Sequence, residues 1–163
     1  MTIEEFKVDI INRYQSLVLQ ELTNYLDSQR IFFSEYEVRV IDFEFNPDHE
    51  GELIINFLVT GEDDWEEKAK KDSDYYTTDW KFYLFNIDIS PSEMLDEALG
   101  FDLGPYIHDI SYEELHRFYG ELFLVLSNVV KTDSIMSVIK KYNLSDDFRV
   151  QFIDSRDDKD YFE

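Results

Sequence analysis

Apolar residues recur at helical spacing from the start of the chain. Phe6, Ile10, Tyr14, Leu17, Val18 and Tyr25 fall along one stripe, and Thr2 with Glu5 forms a capping-box pattern ahead of them. The spacing predicts a long amphipathic helix over 3–29. The period then drops to two. Residues 37–45 and 52–60 are rich in β-branched and aromatic side chains, with Leu53, Ile55, Phe57 and Val59 alternating. Between them Asn46-Pro47-Asp48-His49-Glu50-Gly51 is turn chemistry, so the pair reads as a hairpin. In its first strand the apolar phase switches from Val38 and Val40 to Ile41, Phe43 and Phe45, which predicts a β-bulge.

Further along, Trp80 to Ile89 reads as a third strand. Ser90 then caps a short helix that Pro91 opens and Gly100 stops after Leu99. Ser111 and Glu114 repeat the capping box, and Leu115, Phe118, Tyr119, Leu122, Leu126 and Val129 mark an amphipathic helix over 112–130. A shorter helix is expected at about 133–142 and a last strand over 148–153. Three consecutive strands favour antiparallel pairing, so the expected class is α+β: an antiparallel sheet of about four strands packed against a long N-terminal helix and a C-terminal helical pair. With no internal repeat and no Gly/Ser/Pro linker, residues 1–154 read as a single domain and 155–163 as an acidic C-terminal tail.

Composition narrows the class. In 163 residues, 44% apolar and 17% aromatic side chains suffice for a packed core and lie outside the low-hydrophobicity range of disordered chains. Met1-Thr2-Ile3-Glu4-Glu5-Phe6 carries acid where a signal peptide needs a basic region. The longest apolar run, Leu122 to Leu126, is five residues, against roughly 20 for a membrane-spanning helix. A soluble, cytoplasmic protein is therefore expected. The absence of cysteine removes disulfides, thiolate metal sites and cysteine nucleophiles together.

Charge changes the picture most. Thirty-seven acidic side chains against 15 basic ones give a formal charge of -22, which disfavours direct binding to nucleic acid because affinity there comes largely from neutralising phosphates. Residues 111–145 hold four acids and four bases, whereas 61–80 hold eight and three, 81–110 six and one, and 146–163 seven and three. A neutral helical quarter beside acidic strands and loops predicts a polarised surface, which favours a directed partner over generic solubility. Adaptation to high salt fits poorly with 14 Phe and with more Lys than Arg.

The 19 residues of 61–79 join two apolar strands, a connection long enough to suggest function. Its carboxylates Asp63, Asp64, Glu66, Glu67, Asp72, Asp74 and Asp79 interleave with Trp65, Tyr75 and Tyr76. Aromatic contact area rimmed by acid is a surface for a basic protein partner, and the competing reading is a solvated hairpin extension. Calcium fits badly: Asp72-Ser73-Asp74 opens like an EF-hand, but Tyr76, Thr77 and Tyr83 stand where a ligand, a glycine and the closing glutamate belong. Asp79-Trp80-Lys81 offers a metal-nuclease pattern that arises readily by chance in so acidic a chain. His49, His108 and His116 are too scattered for a triad or ligand set, and no G-x-S-x-G or phosphate-binding glycine loop is present. No catalytic residue, metal or cofactor is expected.

The reading these features favour is a non-enzymatic acidic binding protein that neutralises a basic protein partner by occlusion. Its general character resembles small acidic immunity proteins of bacterial toxins, without a family-defining motif. The alternatives are a DNA mimic of the anti-restriction or anti-CRISPR type, since 22 charges match about 37 Å of duplex, and a regulatory scaffold. The apolar width of the 112–130 helix also permits a homodimer face.

Overall fold

The N-terminal stripe folds as one helix, α1 (Ile3–Phe32), in the computed structural model, which describes residues 3–46, 52–61, 82, 111–154, 157 and 159–163. The expected strand at 80–89, apart from Phe82, and the expected short helix at 91–99 lie outside the described residues. Val18, Leu22 and Leu26, one turn apart on α1, are fully buried, and taking each such side chain out of water contributes about 1.5–3 kcal/mol. The helix runs three residues past its expected end because no Gly or Pro stops it, and Arg30 in the last turn suits the negative end of the helix dipole. The chain then tightens into a 3-10 turn, Phe33–Glu35. There the Tyr36 N–H donates to the Phe33 carbonyl (3.1 Å) and the Ser34 hydroxyl to that of Ile31 (2.7 Å), satisfying carbonyls that a helix end leaves over.

Strands β1 (Val38–Asn46) and β2 (Glu52–Val59) form the expected antiparallel hairpin, and the bulge is present, with the register shift between Val38 and Val40, just ahead of the expected switch from Val40 to Ile41. The extra residue lets Val38 join Ile41 and Phe43 in the core although the alternation is broken between them. Leu53, Ile55, Phe57 and Val59 line the same face of β2 and belong to the same buried core as Val18, Leu22 and Leu26 of α1. The opposite face sets Val40, Asp42 and Glu44 across from Leu58, Asn56 and Ile54, and all of these except Glu44 are buried. Burial on both faces explains why β2 reads Leu-Ile-Ile-Asn-Phe-Leu-Val, with one polar side chain in seven positions. On the outer side of β2, Phe57 makes an isolated antiparallel bridge to Phe82.

Two helices follow in the described residues, α2 (Tyr112–Val130) and α3 (Asp133–Ile139), both packed on α1. The last turns of α2 bury Phe123, Val125, Leu126, Val129 and Val130 in this chain's own core. The third strand, β3 (Leu144–Gln151), completes the order β2-β1-β3 and runs parallel to β1, with Ile41 opposite Val150 and Asp42 opposite Gln151. The sheet is therefore mixed, where a wholly antiparallel one was expected. Alternation along a strand is the same in either direction. Its direction is set by the route taken: the helical pair returns the chain to the end where β1 begins, and the Val38 N–H donates to the Asn143 carbonyl at 2.8 Å.

Helix α3 is capped by Thr132, whose hydroxyl accepts from the Ile135 N–H, and ends before Tyr142 rather than at it. The turn that follows aims the Tyr142 hydroxyl at the Leu26 carbonyl of α1, a buried bond between elements far apart in sequence. Burial pushes the phenol pKa up, so the group stays a donor. Tyr142→Phe is expected to cost about 1 kcal/mol, read as a lower urea midpoint with unchanged slope. An unmoved midpoint would mean the bond contributes nothing net.

The end of the chain, expected as an acidic tail beyond a strand ending near residue 153, folds back instead. β4 (Ile153–Asp154) pairs with β5 (Lys159–Asp160) in a two-stranded antiparallel sheet. One Asp160 carboxylate oxygen accepts from the N–H groups of Phe152 (3.0 Å) and Phe162 (2.9 Å). Tyr161 stacks on Phe123 with ring centroids 5.3 Å apart, and Tyr161 and Phe162 both pack against the core. Two aromatics at the end of an acidic run anchor it.

Candidate functional site

Two polar features stand out among the described residues, one inside the sheet and one on the surface. The inner one follows from register. Asp42 sits on the middle strand, and its neighbours in the same row are Asn56 on β2 and Gln151 on β3. Asn56 donates to Asp42 Oδ2 at 2.8 Å and Gln151 to Asp42 Oδ1 at 2.9 Å, so each carboxylate oxygen receives an amide donor. Asn56 also reaches Glu44 Oε2 at 3.5 Å. Asp42 is 3% exposed, Asn56 fully buried and Gln151 6% exposed.

Amides give hydrogen bonds but no countercharge. Burial therefore dominates and pushes the Asp42 carboxyl up to about 6; the two amide bonds pull the other way, and Glu44 and Asp160 add repulsion. Glu44, on the same face, is also raised by burial, against the pull of Asn56. A carboxyl that titrates near neutrality has the protonation behaviour a general acid or base needs. Proton transfer to a substrate also requires access, and a side chain this enclosed offers none. Among the described residues no group of three or more His, Cys, Asp or Glu side chains could hold a metal ion.

The outer feature is the acid left on the surface. Glu21, Asp27, Glu35, Glu37, Asp133, Asp146, Asp147 and Asp157 are exposed. Asp147 pairs with Arg39, the residue in the bulge, and accepts from the Ser145 hydroxyl at 2.7 Å. These bonds, the one from Arg39 foremost, hold its carboxyl down to about 2, so it keeps its charge through the whole neutral range. Asp146, Asp147 and Arg149 also put charge along β3, an end strand of the three-stranded sheet, where charge deters pairing with another strand. Because both faces of the β1–β2 hairpin are buried, the exposed acid of the described residues lies on helices, strand edges and connections.

The residues singled out from sequence fall differently. Asp63, Asp64, Trp65, Glu66, Glu67, Asp72, Asp74, Tyr75, Tyr76 and Asp79 all lie outside the described residues, as do Lys81, His49 and His108. His116 lies on α2. The row around Asp42 was not foreseen, although Asn56 gave a signal. A single amide within a run apolar on both faces has to find a buried partner, and the polar alternants of the facing strand are the nearest available. No described helix is long and apolar enough to cross a membrane. Compared with models of protein families, with curated proteins and with solved structures, the chain matches none, so its function has to be argued from its own residues.

Proposed function

We propose that this chain is a non-enzymatic acidic protein that neutralises a basic protein partner by occlusion, acting in the cytoplasm, with immunity to a bacterial toxin as the concrete case. The observation that carries the reading is the charge of -22 and its uneven placement, neutral over 111–145 and strongly acidic over 61–110 and 146–163. Such a field raises the local concentration of a cationic partner and lifts association rates by roughly 10 to 10³. Rate is what an inhibitor of a damaging enzyme needs. Asp63, Asp64, Glu66, Glu67, Asp72, Asp74 and Asp79 supply the charge that covers the partner's cationic cleft, and Trp65, Tyr75 and Tyr76 supply desolvated contact.

The test takes the basic protein encoded beside this chain's gene. Co-expression is expected to restore growth, and the association rate is expected to fall at least tenfold between low and physiological salt. Joint replacement Asp63→Lys, Asp64→Lys, Glu66→Lys and Glu67→Lys should slow association about tenfold with no change in the urea midpoint. A rate indifferent to both salt and these reversals would sink the proposal. Displacement of this chain from its partner by duplex DNA would favour the DNA-mimic reading instead.

A further inference from the structure

The end of α1 carries two large apolar side chains on its outside. Ile31 is 75% exposed and Phe32 46% exposed, the former the most exposed large apolar side chain among the described residues. Both lie off the buried stripe, which continues from Leu26 to Phe33. Single exposed apolar residues are ordinary, but this adjacent pair sits on a fixed support. The Phe32 ring stacks on Tyr36 at 5.9 Å and 25°, and meets Phe33 (5.0 Å) and Phe82 (5.8 Å) edge-on. An aromatic held in place before contact loses little freedom on binding, which is the property of an interface anchor.

The surroundings identify the occupant. Asp27, Glu35 and Glu37 are exposed within a few residues of the pair, and the one basic side chain of the last turn, Arg30, is already bonded to Asp27 at 3.3 Å. A second copy of this chain would bring acid against acid, with -22 on each side. We infer that the Ile31–Phe32 knob, followed in the chain by exposed Glu35 and by exposed Glu37, whose carboxylate accepts from the Thr60 hydroxyl at 2.6 Å, is a docking surface that inserts into an apolar pocket with a basic rim on a protein partner. This rests on the basic-partner reading above and adds to it a contact on α1, distinct from the 61–79 segment.

The probe is a synthetic amphipathic helix with one leucine face and one lysine face, compared with a lysine/serine peptide of equal charge. Titrated into the full chain, the leucine/lysine peptide is expected to shift the amide resonances of 27–37. Ile31→Ser, at a position too exposed to support the core, should weaken it about tenfold, and Ile31→Leu should restore it. Affinity unchanged by Ile31→Ser would overturn the surface, as would equal binding of the lysine/serine peptide. Ile31-dependent self-association in sedimentation would overturn the assigned occupant in favour of a second copy. Peptide binding that depends on Ile31 but not on salt would remove the basic chemistry of the partner and the proposed function with it. Binding that depends on salt but not on Ile31 would remove this surface alone.

Discussion

Phe33→Ala is expected to destabilise the protein by about 3–5 kcal/mol, the largest loss from any single truncation considered. Phe33 is fully buried at the junction of α1, the sheet and the turn after α3. Its ring stacks on Phe57 with centroids 4.1 Å apart and 25° between planes. It meets Phe82 edge-on at 5.1 Å, and Tyr36 and Tyr142 lie at 6.1 and 6.3 Å. Alanine removes the hub of that cluster, and rings held by the backbone of separate elements cannot close in on the space. The loss is then area removed from burial plus a cavity. Set against the roughly 5–15 kcal/mol by which a domain of this size is stable, it leaves a protein close to its threshold. Urea unfolding checks this: a midpoint shift equivalent to several kcal/mol for Phe33→Ala, and a much smaller one for Phe33→Leu, which keeps most of the volume. An unmoved midpoint for the alanine variant would show that the cluster around Phe33 is not a cooperative part of the fold.

That cluster also shows what can and cannot be read ahead of a structure. Helix α1, the hairpin and its bulge, and helix α2 were legible because each has a period that a neighbouring alternative would break: 3.6 along Phe6, Ile10, Tyr14, Leu17, Val18 and Tyr25, of which Val18 is fully buried beside the unforeseen Leu22 and Leu26, and two with one slip along the first strand. The direction of β3 was not, because direction leaves no mark on alternation and depends on how α2 and α3 return the chain. The packing of the last residues was hidden for a related reason. Acid dominates 154–163 by count, yet Tyr161 and Phe162 pack against the core, and the Asp160 carboxylate accepts from the N–H groups of Phe152 and Phe162. The row at Asp42 was hidden by an ambiguity of the same kind. Polar alternants on a strand mark a solvated face only if nothing covers it, and the near-continuous apolar run of β2 was the sole indication that both faces are closed.

Asp42→Asn is expected to flatten the dependence of stability on pH. The folded-state carboxyl is raised from 3.8 to about 6, mainly by burial. The folded protein thus holds this proton more tightly than the unfolded chain does. Well below pH 3.8 the group is neutral in both states and carries no penalty. As pH rises from about 4 through 6 the unfolded chain releases the proton first and is favoured, and above 6 the cost levels off at about 3 kcal/mol. Glu44, raised in the same direction, and relief of the general repulsion of a -22 chain add slopes of the same sign. Wild-type unfolding alone therefore cannot assign the effect to Asp42. The difference between wild type and Asp42→Asn can. With the Gln151 amide turned over to accept from the new amide, the variant keeps both bonds of the row without a charge. Its stability relative to wild type should rise by about 2 kcal/mol between pH 4 and pH 7. Asp42→Ala, which strands two buried amides, should instead be destabilising at both ends of that window. A constant offset between Asp42→Asn and wild type from pH 4 to 7 would mean that Asp42 does not change its protonation there, and that the row holds its charge at no cost the fold has to bear.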